Sequence, residues 1–163
     1  MDKHLLAGLA NLLLYPAQDF LPPESEALRE KVRPFFEERQ KKSLLERQEF
    51  YAQTFDFGKN SLYLTSYLYD DRERANALHK LKAIYEYCEL EMRPGELPDF
   101  LPLMLEFLVN VDLAAVEKEI GAYFWHILRN GLRCLHEALR EEQNIYGLVT
   151  AAIAELTLME RGK

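Results

Sequence analysis

The stretch Glu96-Leu97-Pro98-Asp99-Phe100-Leu101-Pro102-Leu103-Met104-Leu105-Glu106-Phe107-Leu108 decides the fold class. Two prolines bracket the start of an almost wholly apolar segment that carries no catalytic chemistry. Pro98 suits the first turn of a helix, where its missing N–H would be unpaired anyway, and Asp99 favours the positive helix end. Pro102 comes early enough to be tolerated as the helix starts. From Phe100 to Val111 only Pro102, Glu106 and Asn110 interrupt the apolar residues. A helix apolar all round is buried on every side or offers one side to a partner.

On either side of this stretch apolar residues recur at spacings of three and four, the period of helices. Asp2 is placed to cap a first helix that runs to about Leu14 and stops before Pro16. Pro22-Pro23 opens a second, charged helix through Leu28, Val32, Phe35 and Phe36, with Pro34 as its break or kink. Ser43-Leu44-Leu45-Glu46 has the capping-box pattern, and the helix it starts carries Phe50, Tyr51 and Phe55 and ends near Gly58. Ser61 to Tyr69 alternates like a strand at Leu62 and Leu64 but pairs helically at Tyr63/Tyr67 and Leu64/Leu68. With no evident partner strand, the expectation is helix.

Asp70 or Asp71 caps a long helix whose stripe is Leu78, Leu81, Tyr85 and Cys88. Met92 to Glu96, with Pro94-Gly95, reads as a loop. Asp112 is expected to cap a further helix through Val116, Ile120, Phe124 and Leu128, which either continues through Asn130-Gly131 or breaks there. Gln143-Asn144 ends it, and Ile145 to Met159 forms the last helix. No repeat, linker or low-complexity tract interrupts the pattern. The expected fold is a single all-helical domain, residues 1–163, of seven or eight helices.

At 163 residues the chain is long enough for one domain with a real core, and its 48% hydrophobic and 29% charged residues suit a soluble globular protein. No apolar run approaches a bilayer span, and Leu12-Leu13-Leu14 is too short for a signal-peptide core, so a cytoplasmic location is expected. The net charge of −7 argues against nucleic acid as a general partner and favours a basic peptide or surface. Cys88 and Cys134 stand far apart with no Cys-x-x-Cys, and the four histidines (His4, His79, His126, His136) have no paired spacing, so neither a zinc site nor another cofactor is expected. Phosphate-loop, Gly-x-Ser-x-Gly and His-Glu-x-x-His motifs are missing, which points away from catalysis.

The phrase ELPDFLPLMLEFL, preceded by Tyr51-Ala52-Gln53-Thr54-Phe55-Asp56 and Ser61-Leu62-Tyr63-Leu64-Thr65, resembles the NarJ-type branch of the TorD-like redox-enzyme maturation proteins. The resemblance runs roughly from Tyr51 to Phe107 and is looser after Val111. It implies a helical bundle without catalytic activity or bound cofactor. Its implied work is to bind the N-terminal peptide of an apo molybdoenzyme catalytic subunit, nitrate reductase or a related oxyanion reductase, and to support molybdenum-cofactor insertion. Molybdenum-cofactor insertion proteins are further implied partners. A helical adaptor with an unrelated client, or a small molybdopterin-handling protein, are the alternatives that the residues alone leave open.

The segment Tyr69-Asp70-Asp71-Arg72-Glu73-Arg74 resembles the family's Gly-Asp-x-Arg-x-Arg-Gly motif, with Arg72 and Arg74 matching. Here the first glycine is missing, with a one-residue shortening, and Ala75 replaces the second, so a continuous helix start replaces a glycine-permitted turn. Arg72 and Arg74 would pair with client carboxylates, and Asp70 and Asp71 would receive a basic side chain. The bland alternative is helix capping with solvated ion pairs. Glu106 would either receive a peptide arginine from a buried position or lie on a wet edge with Asn110, four residues on, and the spacing favours the edge. Glu96, Leu97, Pro98, Asp99 and Phe100 join the candidate surface, as do Asp56, Ser61, Leu62, Thr65 and Tyr67. The groove is expected between Ser61–Tyr69, the start of the Asp71 helix, and the Glu96–Phe107 helix, with an amphipathic peptide laid into it.

Overall fold

The computed structural model describes residues 1–18, 25–57 and 59–158. Eight α-helices make up the described residues: α1 (Lys3–Leu12), α2 (Glu26–Lys31), α3 (Arg33–Gln40), α4 (Leu44–Phe55), α5 (Asp71–Tyr87), α6 (Leu101–Asn110), α7 (Lys118–Glu141) and α8 (Tyr146–Leu158). Two 3-10 turns, Leu64–Tyr67 and Leu113–Ala115, interrupt the connections. The all-helical expectation holds, with α6 as the buried hub.

Local chemistry accounts for most helix starts. Asp2 caps α1 by accepting from the Leu5 N–H at 3.0 Å, and Ser43 and Glu46 form the full capping box of α4. Asp70, rather than Asp71, caps α5 by accepting from the Glu73 N–H at 2.9 Å. Ser25 caps α2, and Val32 then separates α2 from α3 so that Pro34 sits in the first turn of α3. Pro22 and Pro23, the expected opening of this region, lie outside the described residues, as do Gly58 and Met159.

Three sequence expectations need correction. Asp112 caps only the short 3-10 turn Leu113–Ala115, and α7 begins later, at Lys118. The proline-rich helix begins at Leu101, with Phe100 as its N-cap and Pro102 in its first turn, so Pro98 and Asp99 precede it in a turn closed by the Phe100 N–H donating to the Leu97 carbonyl at 3.2 Å. Ser61–Tyr69 is mostly not helical. Tyr63 makes an isolated antiparallel bridge with Phe100, followed by a single 3-10 turn. The alternation of Leu62 and Leu64 is therefore a strand signal whose partner, Asp99–Leu101, lies inside an apparent helix.

The core lies where α1, α5, α6 and α7 meet. Leu6 and Leu9 of α1, Leu81 of α5, Met104 of α6 and Phe124 of α7 are fully buried. Tyr85, Phe107 and Phe124 stack in sequence across three helices, with ring centroids 4.9 and 4.8 Å apart. A second cluster joins α3, α4 and α8 around Tyr146, whose ring meets Phe35 at 5.2 Å and Phe55 at 4.9 Å. Burial pushes the Tyr146 hydroxyl up to about 12, against the opposing charges of Arg39 and Arg47. Burial, with Tyr146 and Asp56 reinforcing it, raises Tyr51 as well, and Tyr51 donates to the Leu13 carbonyl at 2.9 Å.

Asn130-Gly131 does not break α7. The glycine instead admits a neighbour: a Cβ at Gly131 would sit 2.5 Å from Leu64 Cβ. Leu64 is fully buried there, at the head of the first 3-10 turn.

Gly131→Ala should lower stability by about 1–3 kcal/mol, since overpacking outweighs the helix-propensity gain. Urea denaturation reads this, and an unchanged midpoint would show that the 3-10 turn shifts freely. Alkaline pH should also destabilise the fold. Native Tyr51 and Tyr146 hold their protons where unfolded tyrosine, with a pKa of about 10, has lost its own. Their contribution is complete below pH ~10 and declines as pH rises towards the native values. Tyr146→Phe should flatten the fall of urea midpoint between pH 9 and 12, and an unaltered slope would count against this assignment.

Candidate functional site

The backbone pairing that corrects the sequence reading also builds the centre of the candidate site. The Leu64 N–H donates to the Asp99 carbonyl at 3.1 Å, and the Leu101 N–H donates to the Leu62 carbonyl at 2.8 Å. Tyr63 and Phe100 lie opposite each other with ring centroids 5.2 Å apart. Pro98 sits in the turn that precedes this pairing, and its carbonyl accepts from the buried Tyr85 hydroxyl at 2.6 Å. Burial first, and the nearby Asp99 charge second, push the Tyr85 hydroxyl well above its ordinary value.

This geometry brings Asp99 to Thr65. Asp99 is fully buried. Its Oδ2 accepts from the Thr65 N–H at 3.1 Å and from the Thr65 hydroxyl at 2.5 Å. Arg74 reaches in from the first turn of α5: its Nε donates to Thr65 Oγ1 at 3.0 Å, and a terminal nitrogen lies 3.6 Å from Asp99 Oδ2. Asp99 Oδ1 has no hydrogen-bond partner among the described residues, so Arg74 supplies much of the compensation for burying this charge.

The expected groove between Ser61–Tyr69, α5 and α6 is therefore a closed seam. Leu62, Thr65, Pro98 and Asp99 are interior, and Arg74 is occupied within the chain. Replacing Arg72, Arg74 and Asp99 together would strike the fold before any partner. Arg72, Asp70 and Asp71 remain exposed at the start of α5, with Asp70 engaged as its cap. Ser61 donates its N–H to the Tyr67 hydroxyl at 2.7 Å, which braces the chain ahead of the 3-10 turn. Asp56 is exposed at the C-terminal end of α4, apart from the seam.

The open surface lies on the opposite flank of α6, against α1. A cleft of about 320 Å3 there takes Glu96, Phe100, Pro102 and Glu106 on one side and Ala7, Ala10 and Leu14 on the other. Glu106 is exposed, and Asn110 Nδ2 donates to its backbone carbonyl at 2.8 Å, so the wet-edge reading is the right one. Leu14 and Leu97 are 43% and 40% exposed, leaving apolar surface in or beside the cleft with two carboxylates at its rim. Arg93 also lines it, so its charge is mixed. Sequence reading missed the α1 wall. Its only signal was a pair of small residues, Ala7 and Ala10, on a helix read simply as core.

Residues 18–144 match the family model described as nitrate reductase delta subunit. The chain belongs to this family. It is 33% identical over 153 residues to the probable nitrate reductase molybdenum cofactor assembly chaperone NarJ of Bacillus subtilis, covering 86% of this chain and 80% of that protein. It is 39% identical over 69 residues to the nitrate reductase molybdenum cofactor assembly chaperone NarJ of Escherichia coli K12, covering 41% of this chain and 29% of the relative. A third similarity, 33% over 105 residues, is to the nitrate reductase-like protein NarX of Mycobacterium tuberculosis, of which it covers 15%. This is a family of cofactor-assembly chaperones, not of catalysts, and the NarJ-type resemblance of the three motifs stands. The span 18–144 contains the Thr65–Asp99–Arg74 seam and all of α6, while α8 falls beyond it.

Thr65→Val should cost about 1–3 kcal/mol, because it leaves Asp99 and Arg74 with unmet buried groups. Combined with Arg74→Met in a double-mutant cycle, it should show a coupling of about 0.5–3 kcal/mol. Strict additivity in urea denaturation would mean that the seam is not one network.

Proposed function

We propose that this chain is an assembly chaperone that binds the N-terminal segment of the apo catalytic subunit of a molybdoenzyme, nitrate reductase or a related oxyanion reductase. In this role it holds the subunit ready to accept molybdenum cofactor. The observation that carries the reading is membership of a family whose named relatives are nitrate reductase molybdenum cofactor assembly chaperones.

The α1–α6 cleft supplies a physical means. A helix-in-groove complex needs apolar walls for the buried face of the peptide and charges at the rim to set its register. Phe100, Pro102, Leu14 and the two alanines offer the walls, and Glu96 and Glu106 offer the rim. The net charge of −7 favours the approach of a basic segment to the molecule. Exposed Arg72, Asp70 and Asp71 at the start of α5 extend the candidate contact surface. Leu62, Thr65, Pro98, Asp99 and Arg74 act behind it, by holding the Glu96–Phe100 segment in place. Ser61 and Tyr67 brace that frame, and Asp56 would be reached only by a longer client segment.

Calorimetric titration with the N-terminal peptide of the catalytic subunit from the same organism tests this. Saturable binding with a negative heat-capacity change is expected, from burial of apolar surface. Glu96→Lys combined with Glu106→Lys should weaken it about tenfold or more, through repulsion of a basic peptide. Absence of saturable binding by the parent protein at any pH or salt concentration tried would overturn the N-terminal-segment reading. Unchanged affinity in the double variant would instead move the peptide away from this cleft.

A further inference from the structure

The largest groove described shares no lining residue with the client cleft and opens at the C-terminal end of α6. It has a volume of about 850 Å3 and runs between the start of α1, the end of α6, the 3-10 turn Leu113–Ala115 and the first turns of α7. Leu108, Val111, Leu113 and Val116 contribute apolar wall, and Trp125, half-buried, stands among them. This is the chain's single tryptophan.

The charge around this groove is opposite to that of the molecule. Lys3, Lys118 and Arg129 line it against one carboxylate, Asp112. That carboxylate is engaged in its own turn, accepting from the Ala114 N–H at 3.0 Å. The Arg129 guanidinium stacks over the Trp125 ring at 4.6 Å, which fixes the anchor-sized aromatic surface in place. Lys3 and Lys118 are exposed and in no ion pair among the described residues. Glu117 and Glu119 flank Lys118 in sequence, yet neither lines the groove. A cationic rim on a chain of net charge −7 is a local reversal of sign, and sign is what selects a partner at encounter.

We infer that the Trp125 groove docks an acidic segment of a partner protein, one carrying an aliphatic or aromatic anchor between its carboxylates. The anchor lies against Trp125 and the valine and leucine walls, where aromatic residues concentrate binding energy. The carboxylates meet Lys3 and Lys118 at the rim. A basic client segment is disfavoured here for the reason that favours it at Glu96 and Glu106, so the two grooves select opposite chemistries.

Trp125 supplies its own reporter. The test titrates the full chain with two short synthetic peptides, one alternating Glu with Leu and Phe, the other with Lys in place of every Glu. The acidic peptide should give a saturable blue shift of Trp125 emission, and the basic one none. Lys3→Glu with Lys118→Glu should weaken the acidic peptide about tenfold or more, and added salt should weaken binding to the parent. Both lysines are exposed, so the far-UV circular dichroism of the variant should match the parent. The client peptide, followed by calorimetry, should bind that variant at least as well as the parent, which separates failure here from failure of the client reading. Equal response to the two peptides, or unchanged affinity in the lysine variant, would overturn the inference. So would a Trp125 shift that follows protein concentration and sedimentation of the protein alone, because it would assign the groove to a second copy.

Discussion

The buried Asp99 carboxylate is the constraint on which the middle of this protein depends. It sits in a segment that belongs to no helix, and it gathers a threonine from one connection and an arginine from the first turn of α5. A buried charge is costly unless hydrogen bonds and an opposite charge surround it, so the three elements are positioned together or not at all. Such a network is weak evidence for stability as such. Its clearer effect is on specificity of arrangement, because it fixes where the chain turns from extended pairing into α6.

That arrangement has consequences in both directions along the chain. Ahead of it, Leu64 is driven against Gly131, where only a missing side chain leaves room. Behind it, Phe100 and Glu96 are carried to the flank of α6 that faces α1, where the cleft is open. The family motif around Asp99 thus works largely from inside. Its interior residues hold a frame, and its outward residues present a surface. Ala75, inside α5, fits this division. Asp70 caps α5 directly, the helix runs on without a turn, and Arg74 still reaches Thr65 and Asp99.

The two grooves beside α6 differ in the charges at their rims as well as in place. Glu96 and Glu106 mark one rim, and Lys3 and Lys118 mark the other. One groove follows the length of α6 and the other opens beyond its last turn, while most of the helix remains core. α6 is thus buried on most sides and open along one, which is one of the two outcomes for a helix apolar all round.

The sequence by itself determined the helical class, most of the helices, the caps of α1 and α4, and the family resemblance. Ser43 and Glu46, Asp2 and Asp70 act on backbone groups within three residues of themselves, so their roles were legible in local spacing. The wet edge of Glu106 and Asn110 was legible for the same reason, since helical period alone places them together. Only the tertiary structure decided what Asp99, Leu62 and Gly131 do. Asp99 reads as a helix-start residue until Thr65, 34 positions away, is brought against it. Tyr63/Tyr67 and Leu64/Leu68 look helical until Asp99–Leu101 lies beside Leu62–Leu64 in an isolated bridge. Gly131 looks like a break until Leu64 fills the space it leaves. In each case the deciding interaction is between residues distant in sequence, and the period of one segment alone does not name its partner.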